Sequence, residues 1–381
     1  MAAGAIVVLG AGVAWRAWDQ GVFSTGEGPA YEPWLTWQGG DAASPRHLVR
    51  AAILAANPHN SQPWRFHVQP ARIELFADRT RNIGSIDPLL REMHIGLGCA
   101  LENLLLAASA QGFEYRLTLF PEPADVTLVA RIELESGSER NEISPLYAAI
   151  PRRHTNRGAY DAARPIDPSV FDELQALGKD FPSVSVRWLT SVDSRRRIGE
   201  LVVQATEAII SDRQQSQDSA VWFRASWQEI QKKRDGLTVD AQALPGWIRA
   251  AAKVLPPISQ QRSEQIWLNS TREVQVATAP AFGILMARDA GDNSIRVQSG
   301  RLWQRMHLWA QTHGIAMQPL NQMPERADRE HSLGIEPRFG NALKELAGDH
   351  GWEVLMPFRL GYPMVTALAS PRRSVDEVVV A

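Results

Sequence analysis

The sequence predicts an α+β fold made of two similar halves, each with a mixed or antiparallel sheet flanked by helices. Three observations carry this. Segments of period-two alternation, such as Trp64–Val68 and Arg72–Phe76, are interleaved with longer runs at helical spacing, and no regular βαβ unit follows the N-terminal apolar run up to residue 40. Gly98 to Gly112 and Gly300 to Gly314 share one spacing, with Leu101 matched to Trp303, Leu104 to Met306, Leu106 to Leu308 and Ala108 to Ala310, which reads either as an internal duplication or as a spacing that any two core helices can share. The chain's 381 residues and 44% hydrophobic content suffice for two domains or for one large unit of two halves.

In order, Ala2 to Ala14 is apolar and uncharged but shorter than the roughly 20 residues a membrane helix needs. It has no basic leader, so it reads as a signal peptide only if truncated. Its Gly10-Ala-Gly12 is not a dinucleotide fingerprint, because Trp15 stands where the third glycine belongs. From Ser44-Pro45 a helix is expected up to Asn57, where Pro58 forces an exit. A hairpin follows, then a helix from Asp87-Pro88 to a stop at Gly112, and strands at 115–120 and 126–134.

A second helix start at Ser144-Pro145 opens the second half. It contains helices at 168–177 and 194–212, strands at 185–189 and 281–287, a helix ending at Gly314, a short helix at 338–346 and a strand at 354–360. We therefore divide the chain into an N-terminal apolar segment and linker at 1–40, a first half at 41–143 and a second half at 144–381. The Trp-, Gln- and Pro-rich stretch 214–278 reads as an insertion able to cover a site.

Forty basic against forty-two acidic residues give a net charge of −2, which gives no reason to expect a nucleic-acid partner. The lone Cys99 excludes an intrachain disulfide framework and reads as a small buried hydrophobe. Nine histidines with no HExxH-like pair give no metal site. The compartment stays open, with the cytoplasm as default and residues 2–18 as a candidate truncated export signal or membrane anchor.

Chemistry concentrates in two kinds of segment. Asn57-Pro-His-Asn-Ser-Gln-Pro-Trp64 crowds amides onto a short connector between a helix and a strand. Alone, it also fits ordinary helix punctuation. Arg152, Arg153 and Arg157, with Arg372 and Arg373 near the C-terminus, could bind phosphate bidentately or form a solvated face.

These pieces resemble the nitroreductase-type flavoprotein family, in its two-halved actinobacterial branch. The matching segments are Pro58-His-Asn60-Ser-Gln62-Pro-Trp64, Arg153-His154-Thr155-Asn156-Arg157 with Tyr160, Gly314 to Asn321, Leu360-Gly-Tyr-Pro363 and Arg372-Arg373. The resemblance implies a nitroreductase-like fold in which one polypeptide forms an internal pseudo-dimer and remains a monomer. It would hold one complete FMN site and one decayed site.

It also implies that Arg153, Thr155 and Arg157, with Arg372 or Arg373, surround the phosphate and ribityl chain. Pro58, His59 and His154 flank the site. Asn60 and Gln62 would contact the ring or its polar edge, and Pro319, Leu320 and Asn321 would lie over the ring, where Asn321-Gln322 replaces the usual Glu-Gly. The activity implied is hydride transfer from NAD(P)H to a nitroaromatic, quinone or similar small acceptor. The alternative is an FMN-binding storage or sequestration protein with little turnover. No catalytic side chain is nominated, because the cofactor carries the reaction.

Overall fold

A computed structural model describes residues 12–39, 44–137, 143–348 and 351–380, so the N-terminal apolar run falls mostly outside it. The N-terminal segment contributes α1 (12–19) and α2 (Glu32–Leu35). In the first half, α3 (Leu48–Ala52) leads to β1 (Trp64–Gln69) and β2 (Arg72–Ala77). Then come α4 (Arg91–Ala110), β3 (Phe113–Leu119) and β4 (Leu128–Ser136).

The second half begins with α5 (Pro145–Ala149), α6 (Pro168–Ala176), β5 (Val184–Leu189) and α7 (Val192–Ser211). The insertion is helical, with α8 (Arg213–Ala220), α9 (Trp227–Lys233), α10 (Gly246–Val254) and α11 (Gln260–Asn269). β6 (Ala281–Ala287), α12 (Asn293–Thr312), β7 (Ala316–Pro319), α13 (Gln322–Leu333), α14 (Arg338–Ala347) and β8 (Glu353–Gly361) complete the half. The chain ends with α15 (Val375–Val378) and β9 (Val379–Val380).

Two sheets result. One has the order β3-β4-β2-β1-β9 and is antiparallel except for the parallel β1–β9 pair; the other, β5-β6-β8-β7, is antiparallel throughout. β9 therefore places the last described residues of the chain in the first half's sheet.

The halves meet where α4 crosses α12, the two helices predicted from the glycine echo. Both are 20 residues long and both lead to a left-handed glycine, Gly112 and Gly314. A Cβ on Gly98 would lie 2.0 Å from the Val297 carbonyl oxygen, and one on Gly300 would lie 1.9 Å from that of Ile95. The two glycines thus play the same part in opposite helices and let the backbones touch. One core runs across this crossing and includes Leu97, Leu101, Trp303 and Met306. Buried Glu102 of α4 pairs with Arg301 (2.8 Å) and Arg305 (2.5 Å) of α12, and Gln304 donates to Asn103 at 2.8 Å, which fixes the helical register. α4 is long and apolar enough to cross a membrane, but it is the buried centre of this core.

Three sequence expectations differ locally. The helix from Ser44 ends at Ala52 and gives way to turns before Asn57, which is extended (φ −161°, ψ 160°) as Pro58 requires. α4 starts at Arg91, and the Asp87 carboxylate accepts from the amides of Glu92 (3.1 Å) and Met93 (2.9 Å). No helix is expected between Asn321 and residue 338, yet α13 begins at Gln322.

Candidate functional site

The connector 57–64 is strained where it is polar. His59 (φ 47°), Asn60 (φ 54°) and Gln62 (φ 53°) all occupy the left-handed region, which disfavours residues with a Cβ and clusters at functional sites. Their side chains hold the turn in place. Asn60 Nδ2 donates to the Gly236 (3.1 Å) and Pro371 (2.9 Å) carbonyls, and Asn60 Oδ1 accepts from Arg372. Gln62 Nε2 donates to the Arg234 carbonyl (2.8 Å), while its Oε1 accepts from the Arg373 amide (2.9 Å). Both amides, assigned to a ligand's polar edge from sequence, are engaged with the insertion and the C-terminal tail. Pro58 packs under the turn, where Gly96 of α4 leaves room for its ring.

Beside this turn the structure gathers arginines that no carboxylate neutralises. Arg153 is buried, donates to the Leu54 carbonyl (3.0 Å) and faces His307 Nδ1 at 3.5 Å. Arg372 is buried and donates to the Ala55 carbonyl (3.2 Å). Arg157 reaches the Ala241 carbonyl of the insertion at 3.3 Å. Among the described residues, none of the three makes a salt bridge.

Their electrostatics follow from that placement. Burial, with repulsion from Arg157, lowers Arg153 to about 10; burial, with repulsion from Arg359, lowers Arg157 to about 10. Burial, with repulsion from Arg153, holds Arg372 well below its ordinary value. His154 and His59 are lowered to about 3 and about 4, chiefly by burial and then by neighbouring arginines, so both are neutral at pH 7. Thr155 lies half-buried between the two arginines of its box.

The Nε atoms of Arg153, Arg372 and Arg373 and the indole nitrogen of Trp64 are buried without a partner. Buried donors without partners, attached to positive charges without counterions, are the chemistry of an anion site. A phosphate-bearing ligand fits this donor set. Arg373 is set apart from the cluster. Its guanidinium donates to the Gln62 (2.6 Å) and Trp64 (3.3 Å) carbonyls, with Asp78, Asp235 and Glu377 nearby, so Arg372 is the tail's member of the cluster.

The third sequence segment enters through Arg359. This residue is fully buried, donates from Nε to Gln318 Oε1 (2.7 Å) and from Nη2 to the Gly158 carbonyl (2.7 Å), and covers the Tyr160 ring at 3.9 Å. Gln318, the residue before Pro319, is thereby tied through Arg359 to the end of the arginine box. The Leu320 amide is committed to the Pro357 carbonyl (2.8 Å) and its side chain is in the second half's own core, so this amide does not face a ligand. Asn321 Oδ1 is buried without a partner.

Several contributors were not found from sequence. Trp34 lies edge-on to His154 (4.7 Å) and under the Arg372 guanidinium (4.9 Å). Arg81 binds Asp235 of the insertion and the Ser61 carbonyl, and it shares the Trp222 ring with Arg224. His59 Nε2 meets Ser219 Oγ at 3.1 Å. Arg359 did leave a signal, as a single charge inside the apolar run Val354–Leu360. The cleft of about 330 Å³ lined by Ser44, Arg46, Val68 and Gln69 is a separate feature, and its one charged side chain is paired with Asp376 at 2.6 Å.

Fold and site together define a two-halved α+β protein with a buried cationic site under a helical cover. No family model matches the chain. It is 26% identical over 344 residues to the "Putative NAD(P)H nitroreductase Rv3131" of Mycobacterium tuberculosis, which spans 89% of this chain and 92% of that protein. It is 34% identical over 113 residues to the "Putative NAD(P)H nitroreductase acg" of the same organism, covering 29% of this chain and 34% of that protein. Among solved structures, the FMN-dependent nitroreductase NfnB from Mycobacterium smegmatis, in complex with NADPH, aligns with a TM-score of 0.41 and 16% identity, over 63% of this chain and 99% of that one. The chain is thus similar to a putative NAD(P)H nitroreductase over 89% of its length, in keeping with the nitroreductase-type resemblance read from its motifs.

Proposed function

We propose that this protein is an FMN-dependent oxidoreductase that transfers hydride from NAD(P)H to a nitroaromatic, quinone or similar small acceptor, with one flavin per monomeric chain. The observation that carries the reading is the cluster of buried Arg153 and Arg372 with half-buried Arg157, none of which has a carboxylate partner among the described residues. Bound FMN would supply the two-electron chemistry. Arg153, Arg157 and Arg372, with Thr155 between the first two, would hold its phosphate end, and Pro319 and Asn321 would border the opposite end. Asn60 and Gln62 serve as braces that hold the tail and the insertion against the arginines. His154, kept neutral by burial, adds no charge of its own.

The second reading is storage or sequestration of FMN. It is favoured by the bonds that the insertion makes to Asn60, Gln62 and Arg157, which hold it closed over the cluster. Absorbance and anaerobic reduction separate the two. Bleaching by NAD(P)H and reoxidation by a quinone support the enzyme, whereas bound FMN that stays oxidised supports sequestration. Arg153→Ala and Arg157→Ala are each expected to weaken FMN binding by about 1.5–3 kcal/mol, the range of a charge-assisted bond. Unchanged affinity in both variants would place the phosphate elsewhere.

A further inference from the structure

We infer that His307 is the positioning residue of the cationic cluster, holding the Arg153 guanidinium in the orientation in which it meets a phosphate while leaving the arginine its charge. This role rests on the flavin reading above. His307 is buried on α12, and its Nδ1 faces Arg153 Nη1 at 3.5 Å. Nη2 of the same guanidinium donates to the Leu54 carbonyl (3.0 Å). A contact on each terminal nitrogen fixes the plane of the group and leaves its buried Nε without a partner. The imidazole is held in turn. Trp303, one turn earlier on α12, packs against it with ring centroids 5.3 Å apart, and the His154 carbonyl accepts its N–H, which leaves Nδ1 as the bare acceptor.

Two observations separate this role from plain core packing. A buried guanidinium is ordinarily paired with a carboxylate, which satisfies its donors and cancels its charge. Burial, with repulsion from Arg153, holds His307 well below its ordinary value, so it accepts a hydrogen bond as a neutral ring and the positive charge stays available to an anion. The halves of the chain supply the second observation. Aligned on the paired glycines Gly98 and Gly300, His307 falls opposite Leu105 of α4, which is buried in the same core. The position packs well with an apolar side chain, and it carries an imidazole where it meets an arginine.

The test titrates the full chain with FMN and, separately, with riboflavin, which has the same ring and ribityl chain but no phosphate, following the quenching of flavin fluorescence. His307→Leu is expected to bind FMN about tenfold more weakly and riboflavin as the wild type does. His307→Asn, which keeps an acceptor near the place of Nδ1, is expected to restore most of the FMN affinity. In an Arg153→Ala background, His307→Leu is expected to cost FMN nothing more, because the group it orients is gone. Circular dichroism checks folding, and His307→Met, which lacks an acceptor but adapts its shape, repeats the comparison if the leucine variant does not fold. Equal weakening of FMN and riboflavin would reduce His307 to a packing residue and overturn the role, as would an undiminished FMN affinity or a loss that persists without Arg153. A wild type that binds no FMN removes the flavin reading and this role together, whereas a wild type that binds FMN beside an unaffected His307→Leu removes the role alone.

Discussion

Gly300→Ala probes the joint between the halves. A Cβ at this position would lie 1.9 Å from the Ile95 carbonyl oxygen and 3.0 Å from Gly98 Cα, whereas side-chain carbons do not approach within about 3 Å. The neighbour is helical backbone, not the end of a flexible side chain, so α4 and α12 must part by about 1 Å at their crossing. Forced overpacking of this kind costs about 3 kcal/mol at the upper end of its usual range. Alanine returns about 1 kcal/mol through its better helix propensity. The net expectation is a loss of about 2 kcal/mol, read as a lower denaturant midpoint with an unchanged slope.

Gly98→Ala meets the mirror-image obstacle at 2.0 Å and should cost about the same. One separation of the helices relieves both clashes, so the double variant should lose clearly less than the sum of the singles. The reasoning is refuted if Gly300→Ala is as stable as the wild type, or if the two losses simply add.

Two further outcomes follow from buried charge, beside the arginine test above. Asp235 stands between Arg81 and Arg224 and is nearly buried, so Asp235→Asn leaves two guanidinium groups facing each other and should loosen the cover; limited proteolysis within 214–278 should accelerate, and an unchanged rate would deny that this contact is a latch. Glu325 is raised to about 7 by burial and shares a hydrogen bond with Glu92, which burial also raises. Stability from this site is therefore full below about pH 4.5 and is lost as pH rises towards about 7. Glu325→Gln should raise the denaturant midpoint at pH 8 and change it little at pH 5, whereas equal changes at both pH values would rule out the titration.

What the sequence made legible was local and periodic. The hairpin, β6 and the paired helices could be seen because alternation and glycine spacing are short-range consequences of geometry. The arginine box and the Asn-Gln turn could be named because charge and amide density do not depend on knowing the fold. Tertiary choices were hidden. Nothing local says that Asn60 spends its amide on Gly236 and Pro371, or that Trp34 shields His154, since these pairs are far apart in the chain and are set by packing. The early end of α3 was missed because alanine-rich residues 51–56 favour helix by propensity, and the approach to the extended residue before Pro58 overrode it.

The route of the last residues has a consequence for synthesis. β9 is the only neighbour of β1 on its outer side, and Arg372 is delivered to the cluster by the stretch just before it. An emerging chain can form β1 to β4 early, but that sheet lacks its β9 strand and the site lacks one of its charges until residues 372–380 are free. Occupancy by an anion would then report that the segment 371–380 has docked, and a chain cut before Arg372 would fail to load while keeping most of its core.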